Sequence, residues 1–144
     1  MTANTKPAPA QWRSAVPLYT HLGFVLDALE DGRSQLRLAF QPQLGNSRGE
    51  VHGGTVAAII DAAMSQAVRS LVDREMGVAT MTMNLNFLAP AKGEIICRGA
   101  VIKRGRSIMF TEAEVTGEDG ALACRASATY RILPKTVYDK KTQP

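Results

Sequence analysis

Between Gly54 and about Val72 the chain carries apolar residues over more than half of a helical circumference. Val56, Ile60, Met64, Ala67 and Leu71 fall on one stripe at helical spacing, with Ile59, Ala63 and Val68 flanking it. Arg69, Asp73 and Gln66 fall on the opposite side. A helix this apolar must be covered from more than one direction. Past Gly77 the period changes to two, so the cover has to be made of strands. Ala79 to Leu88 (ATMTMNLNFL) alternates strictly, and Glu94–Arg104, Ile108–Thr116 and Leu122–Leu133 follow, separated by turn residues. The expectation is an α+β domain in which a curved antiparallel sheet wraps around one long central helix.

Ahead of the helix, a short helix or turn over Pro17–Gly23 precedes two strands, Phe24–Glu30 and Ser34–Phe40, which meet across Glu30-Asp31-Gly32 as a hairpin. Leu36, Leu38 and Phe40 are its inward positions. The polar loop 41–50 holds Pro42, Gly45, Asn46 and Gly49. With 144 residues the chain is one domain, set at 11–136. The Pro/Ala/Thr-rich segment 1–10 is expected to be disordered and 137–144 to form a flexible tail.

Composition narrows the function. Cys97 and Cys124 stand apart from each other and from any histidine at ligand spacing, so they read as reduced, packed thiols and no metal is expected. No apolar run is long enough for a membrane helix, and the N-terminus lacks the pattern of a secretory signal, which points to the cytoplasm. The net charge of +4 favours anionic partners. Its basic residues are scattered, apart from knots at Lys103-Arg104-Gly105-Arg106 and Lys140-Lys141, without a basic arm or an aromatic-rich binding strand. A small phosphorylated ligand therefore fits better than nucleic acid.

The chemistry concentrates at GEVHGGT, residues 49–55, immediately before the helix. A helix N-terminus presents unpaired N–H groups and partial positive charge, which stabilise an oxyanion. Glycine there lets a substrate carbonyl approach the backbone. Asp61 is the one acid in the apolar run, edged by small residues. A buried carboxylate without partners costs several kcal/mol, so it is either a satisfied structural acid or a nucleophile or general base facing a cleft. Ser65, one turn on, could orient water or the carboxylate, or back-bond to the helix. His52 could move a proton, although a histidine before a turn more often hydrogen-bonds the loop.

The stretch NSRGEVHGGTVAAIID resembles the hotdog-fold acyl-CoA thioesterases of the phenylacetate-pathway and 4-hydroxybenzoyl-CoA type, and the resemblance runs on through TMTMNLNFLAPAKGE and VIKRGRSIMFTEAEV to the last strand. It implies an acid at Asp61 acting as nucleophile or as base for a hydrolytic water, and a carbonyl-polarising N–H at Gly53. It further implies a loop amide near the thioester at Asn46, a water-positioning hydroxyl at Ser65 and a strand hydroxyl near the acid at Thr80. The turn Gly105-Arg106-Ser107, with Lys103 and Arg104, matches the region that meets the coenzyme A phosphates. The implied reaction is hydrolysis of a small aromatic or medium-chain acyl-CoA. No cofactor is implied beyond the coenzyme A of the substrate. The implied assembly is at least a homodimer, with Asn46 and Gly53 facing the partner's Asp61, and a homotetramer built as a dimer of dimers. A non-catalytic acyl-CoA-binding module on the same fold is the alternative. Hotdog hydratases match poorly, because their acid–histidine spacing differs, and a purely structural oligomer leaves Asp61 unexplained.

Overall fold

A computed structural model describes residues 9–135. The segments 1–8 and 136–144 lie outside the described residues, and with them most of the expected disordered N-terminus, the expected tail and the Lys140-Lys141 knot. The elements are α1 (Pro17–Leu22), β1 (Val25–Glu30), β2 (Arg33–Leu38), a 3-10 turn (Pro42–Leu44), α2 (Gly53–Arg69), β3 (Gly77–Phe87), β4 (Ile95–Arg104), β5 (Ile108–Thr116) and β6 (Leu122–Leu133). Six antiparallel strands form one sheet in the order β1-β2-β4-β5-β6-β3. The sheet wraps α2 in the hotdog arrangement expected.

The core is the inner face of the sheet against α2. Leu26, Leu36, Leu38, Ile95, Cys97, Met109, Val115, Cys124 and Tyr130 close over Val56, Ile59, Ile60, Met64 and Val68. Both cysteines are buried free thiols, and burial raises their pKa above the ordinary range, so they stay protonated at neutral pH. Strand and helix approach each other closely at Gly99 of β4. A Cβ there would lie 2.8 Å from both the carbonyl carbon and the oxygen of Ala63. The neighbouring Ser34 hydroxyl donates to that same oxygen at 2.6 Å. In the β1–β2 hairpin Glu30 pairs with Arg33, and Asp31 and Gly32 both take positive φ, the conformation a two-residue turn needs to match strand twist.

Three expectations change. The second strand stops at Leu38, and Phe40 is only half-buried, because the chain has already turned toward Pro42. The central helix ends at Arg69 rather than near Val72. Beyond it, Ser70 donates to Ala67 O, while Arg104 and Arg13 donate to the carbonyls of Leu71 and Val72 at 2.8 and 2.9 Å, so side chains replace the missing helical N–H groups. Gln66, placed on the polar side of the helix, is fully buried. The segment leading into α1 crosses that side, and the Arg13 N–H donates to Gln66 Oε1 at 3.0 Å while Trp12, Tyr19 and Phe24 stack beside it. The helix is therefore covered on both sides, by the sheet and by the N-terminal segment.

Candidate active site

The loop before α2 is organised by its own side chains. Asn46 Oδ1 accepts from the N–H groups of Arg48 and Glu50 at 2.9 and 3.1 Å, an Asx-type turn that folds residues 46–50 back on themselves. His52 is the N-cap of α2, and its Nδ1 accepts from the Gly54 N–H at 2.8 Å. That bond makes His52 the side-chain cap of the helix. Replacing His52 with alanine is expected to remove the cap and lower stability by about 1 kcal/mol, with Asn largely restoring it, as read by urea unfolding. An unchanged midpoint in the alanine variant would contradict the capping role.

Gly53 opens the helix, so its N–H has no intrahelical acceptor. Among the described residues it makes no other hydrogen bond. It borders a cavity of about 430 Å³ that Asn46, Arg48, Glu50, Phe87 and Leu88 also line. A free, positively polarised amide thus faces an open space at the end of β3.

Asp61 lies two turns further along α2 and is half-buried. Its Oδ1 accepts from the Thr80 hydroxyl at 2.9 Å and from the Tyr130 hydroxyl at 2.7 Å. Thr80 and Tyr130 are cross-strand partners on β3 and β6, and a break in register between Thr80 and Thr82 accompanies the turn of the Thr80 side chain toward the helix. Burial first, and then the Asp61 charge, push the Tyr130 phenol well above the usual range, so it remains a donor. Tyr19 of α1 is raised in the same way, by burial and by the Asp61 charge, and its phenol interacts with Ser65 and Gln66. Ser65 is thus buried against Tyr19.

Gly53 and Asp61 are eight residues apart on one helix, about 12 Å along its axis. One substrate carbonyl cannot touch both within a protomer. The basic turn is separate again. It joins β4 to β5 at the sheet end where the Ile132 N–H meets Ser107 O, while the Gly53 cavity lies at the opposite end, beside Leu88 and Ala123. Lys103, Arg106 and Ser107 are exposed, but Arg104 is occupied at the end of α2. A larger depression of about 750 Å³ lies on the outer face of the sheet and holds none of these residues. Its charges answer one another across the ladder, with Arg98 opposite Glu114 and Glu114 opposite Arg125.

Residues 48–124, which include the end of the loop from Arg48, the whole of α2 and strands β3, β4 and β5, match the family model described as Thioesterase superfamily. The chain belongs to the thioesterase superfamily. A Halobacterium salinarum protein whose name proposes an esterase is 34% identical over 68% of this chain and 68% of its own length. The crystal structure of a thioesterase family protein from Silicibacter pomeroyi superposes with a TM-score of 0.78 at 30% identity, covering 82% of this chain and 90% of that one. The human acyl-coenzyme A thioesterase 13 is 32% identical over 51% of this chain and 53% of its own length. Membership in a thioesterase superfamily makes the chain a thioester hydrolase. Among the described residues no helix is long and apolar enough to cross a membrane.

Tyr130 was not anticipated from the sequence. The available signal was a bulky hydroxylated residue ending the inward series Ala126, Ala128, Tyr130, because a buried phenol needs a hydrogen-bond partner. That signal does not say which partner.

Proposed function

We propose that the protein hydrolyses acyl-CoA thioesters, with a small aromatic or medium-chain acyl group, at a site completed by a second copy of the chain. Water adds to the thioester carbonyl, the carbon–sulfur bond breaks, and the products are the free acid and coenzyme A. The Gly53 N–H and the positive end of α2 stabilise the oxyanion that forms. Asp61 of the partner subunit supplies the carboxylate, as nucleophile or as base for the water, and Asn46 holds the reacting groups from the loop. Coenzyme A leaves as a thiolate and needs little acid assistance. The exposed cations Lys103 and Arg106, with Ser107, are assigned to its phosphates.

The observation that carries this reading is the partnered Asp61 on the same helix as a free N-terminal amide, too far from it to share a carbonyl. Two copies related by a twofold axis remove that distance. The free edge of β3 supports such a pairing: it is eleven residues long, and Met81, Phe87 and the adjoining Leu88 are more than half exposed. Pairing of dimers into a tetramer, and action in the cytoplasm, where buried reduced thiols persist, complete the proposal.

Thiol release from a panel of acyl-CoA esters tests the reaction. Mixed dimers test the two-chain site. Asp61→Asn and Gly53→Val are each expected to be nearly inactive alone; at Gly53 an added Cβ meets the Phe87 ring at 3.5 Å, an ordinary van der Waals contact. Unfolded and refolded together, they should regain about a quarter of the parent activity, since half the dimers are mixed and each mixed dimer holds one intact site. No recovery, with mixed dimers demonstrated by a size tag, would refute the shared site. Binding of the esters without turnover by the parent would favour a binding module.

A further inference from the structure

Resting on the thioesterase reading, we propose that Tyr130 is a positioning residue that, with Thr80, locks Asp61 Oδ1 and leaves Oδ2 as the oxygen that acts on substrate or water. Tyr130 is fully buried on β6, 69 residues from Asp61, and its ring belongs to the core cluster. Its single proton has two acceptors within reach, Asp61 Oδ1 at 2.7 Å and Asp61 O at 3.2 Å. The shorter contact is the charge-assisted one. Thr80 reaches Oδ1 from β3 at 2.9 Å.

Two donors on one carboxylate oxygen fill its two lone-pair directions. They arrive from adjacent strands of a rigid sheet, so they fix both the position and the plane of the carboxylate. Asp61 Oδ2 takes no hydrogen bond among the described residues. The two oxygens are therefore unequal: one is anchored to the sheet and the other is presented. Because the phenol is held protonated by burial, the anchor persists whenever the carboxylate is ionised. The other titratable groups facing this network are Tyr19 from α1, which interacts electrostatically with both Asp61 and Tyr130, and Arg69 on α2, which acts on Tyr19.

Tyr130→Phe keeps the ring and removes only the donor. The expected result is a roughly tenfold fall in kcat on the best ester, with KM within about twofold, because geometry at the reacting oxygen is lost while the binding surface is kept. A purely structural role would lower the unfolding midpoint and leave kcat within about twofold of the parent. If Tyr130→Phe does not fold, Thr80→Val tests the same oxygen from the exposed edge. It should show the same split between kcat and KM, with Thr80→Ser restoring the parent values. A kcat within twofold of the parent, in an assay where Asp61→Asn is inactive, overturns the positioning role and leaves the thioesterase reading intact. A parent that splits no ester overturns that reading, and this role with it.

Discussion

Asp61→Asn is expected to lower kcat for thioester hydrolysis by ~10² or more, with the fold, the proposed dimer and the proposed binding of coenzyme A esters preserved. Asparagine has nearly the same shape. Its Oδ1 can still accept from Thr80 and Tyr130, the two donors that hold the parent carboxylate at 2.9 and 2.7 Å. What changes is the group presented in place of Oδ2, an amide that neither attacks a carbonyl nor takes a proton from water. The loss thus falls on the chemical step, so KM should change little. Thiol release on the best ester, with size measurement and thermal unfolding of both proteins, checks this. A rate within a few-fold of the parent would mean that Asp61 is only a satisfied structural acid.

The largest stability effect is expected at Gly99, through Gly99→Val. The first carbon of any side chain there would lie 2.8 Å from two backbone atoms of Ala63 and 2.9 Å from the Ser34 hydroxyl. None of these is the loose end of a flexible chain: Ala63 is mid-helix, and Ser34 is buried and bonded to it. Either β4 or α2 must move. Overpacking of this kind costs about 1–3 kcal/mol, and valine sits at the upper end because its branches meet the same wall. Urea unfolding should show a clearly lower midpoint. Activity should fall as well, since Asp61 lies two residues from the displaced Ala63 and its bonds to the sheet are short. An unchanged midpoint would show that the close approach of strand and helix is not a constraint.

Of the five expected results, the His52 cap rests on a local contact, and the others depend on segments distant in sequence or on two copies of the chain. That is also where reading the chain by itself stopped. The strands at 108–116 and 122–133 have the limits their alternation indicates, and the helix begins within one residue of the glycine pair. Asp61 stands out because an acid in an apolar run is costly, and Thr80 follows from the family resemblance. Gln66 does not follow: its polarity puts it on the outer side of the helix, but burial depends on what crosses that side, and the segment at Arg13 does. Arg104 belongs to the basic turn by position and to the end of α2 by contact.

Periodicity determined which face of each element is apolar, because that information is written within one or two turns of chain. The glycine pair and the acid determined where chemistry was to be sought. Tertiary structure alone decided that β3 closes the sheet beside β6, so that Thr80 and Tyr130 stand across from each other and converge on one oxygen of Asp61. A hydroxyl's local sequence carries its need for a partner, but only the packing of the sheet on the helix brings that partner within hydrogen-bond distance.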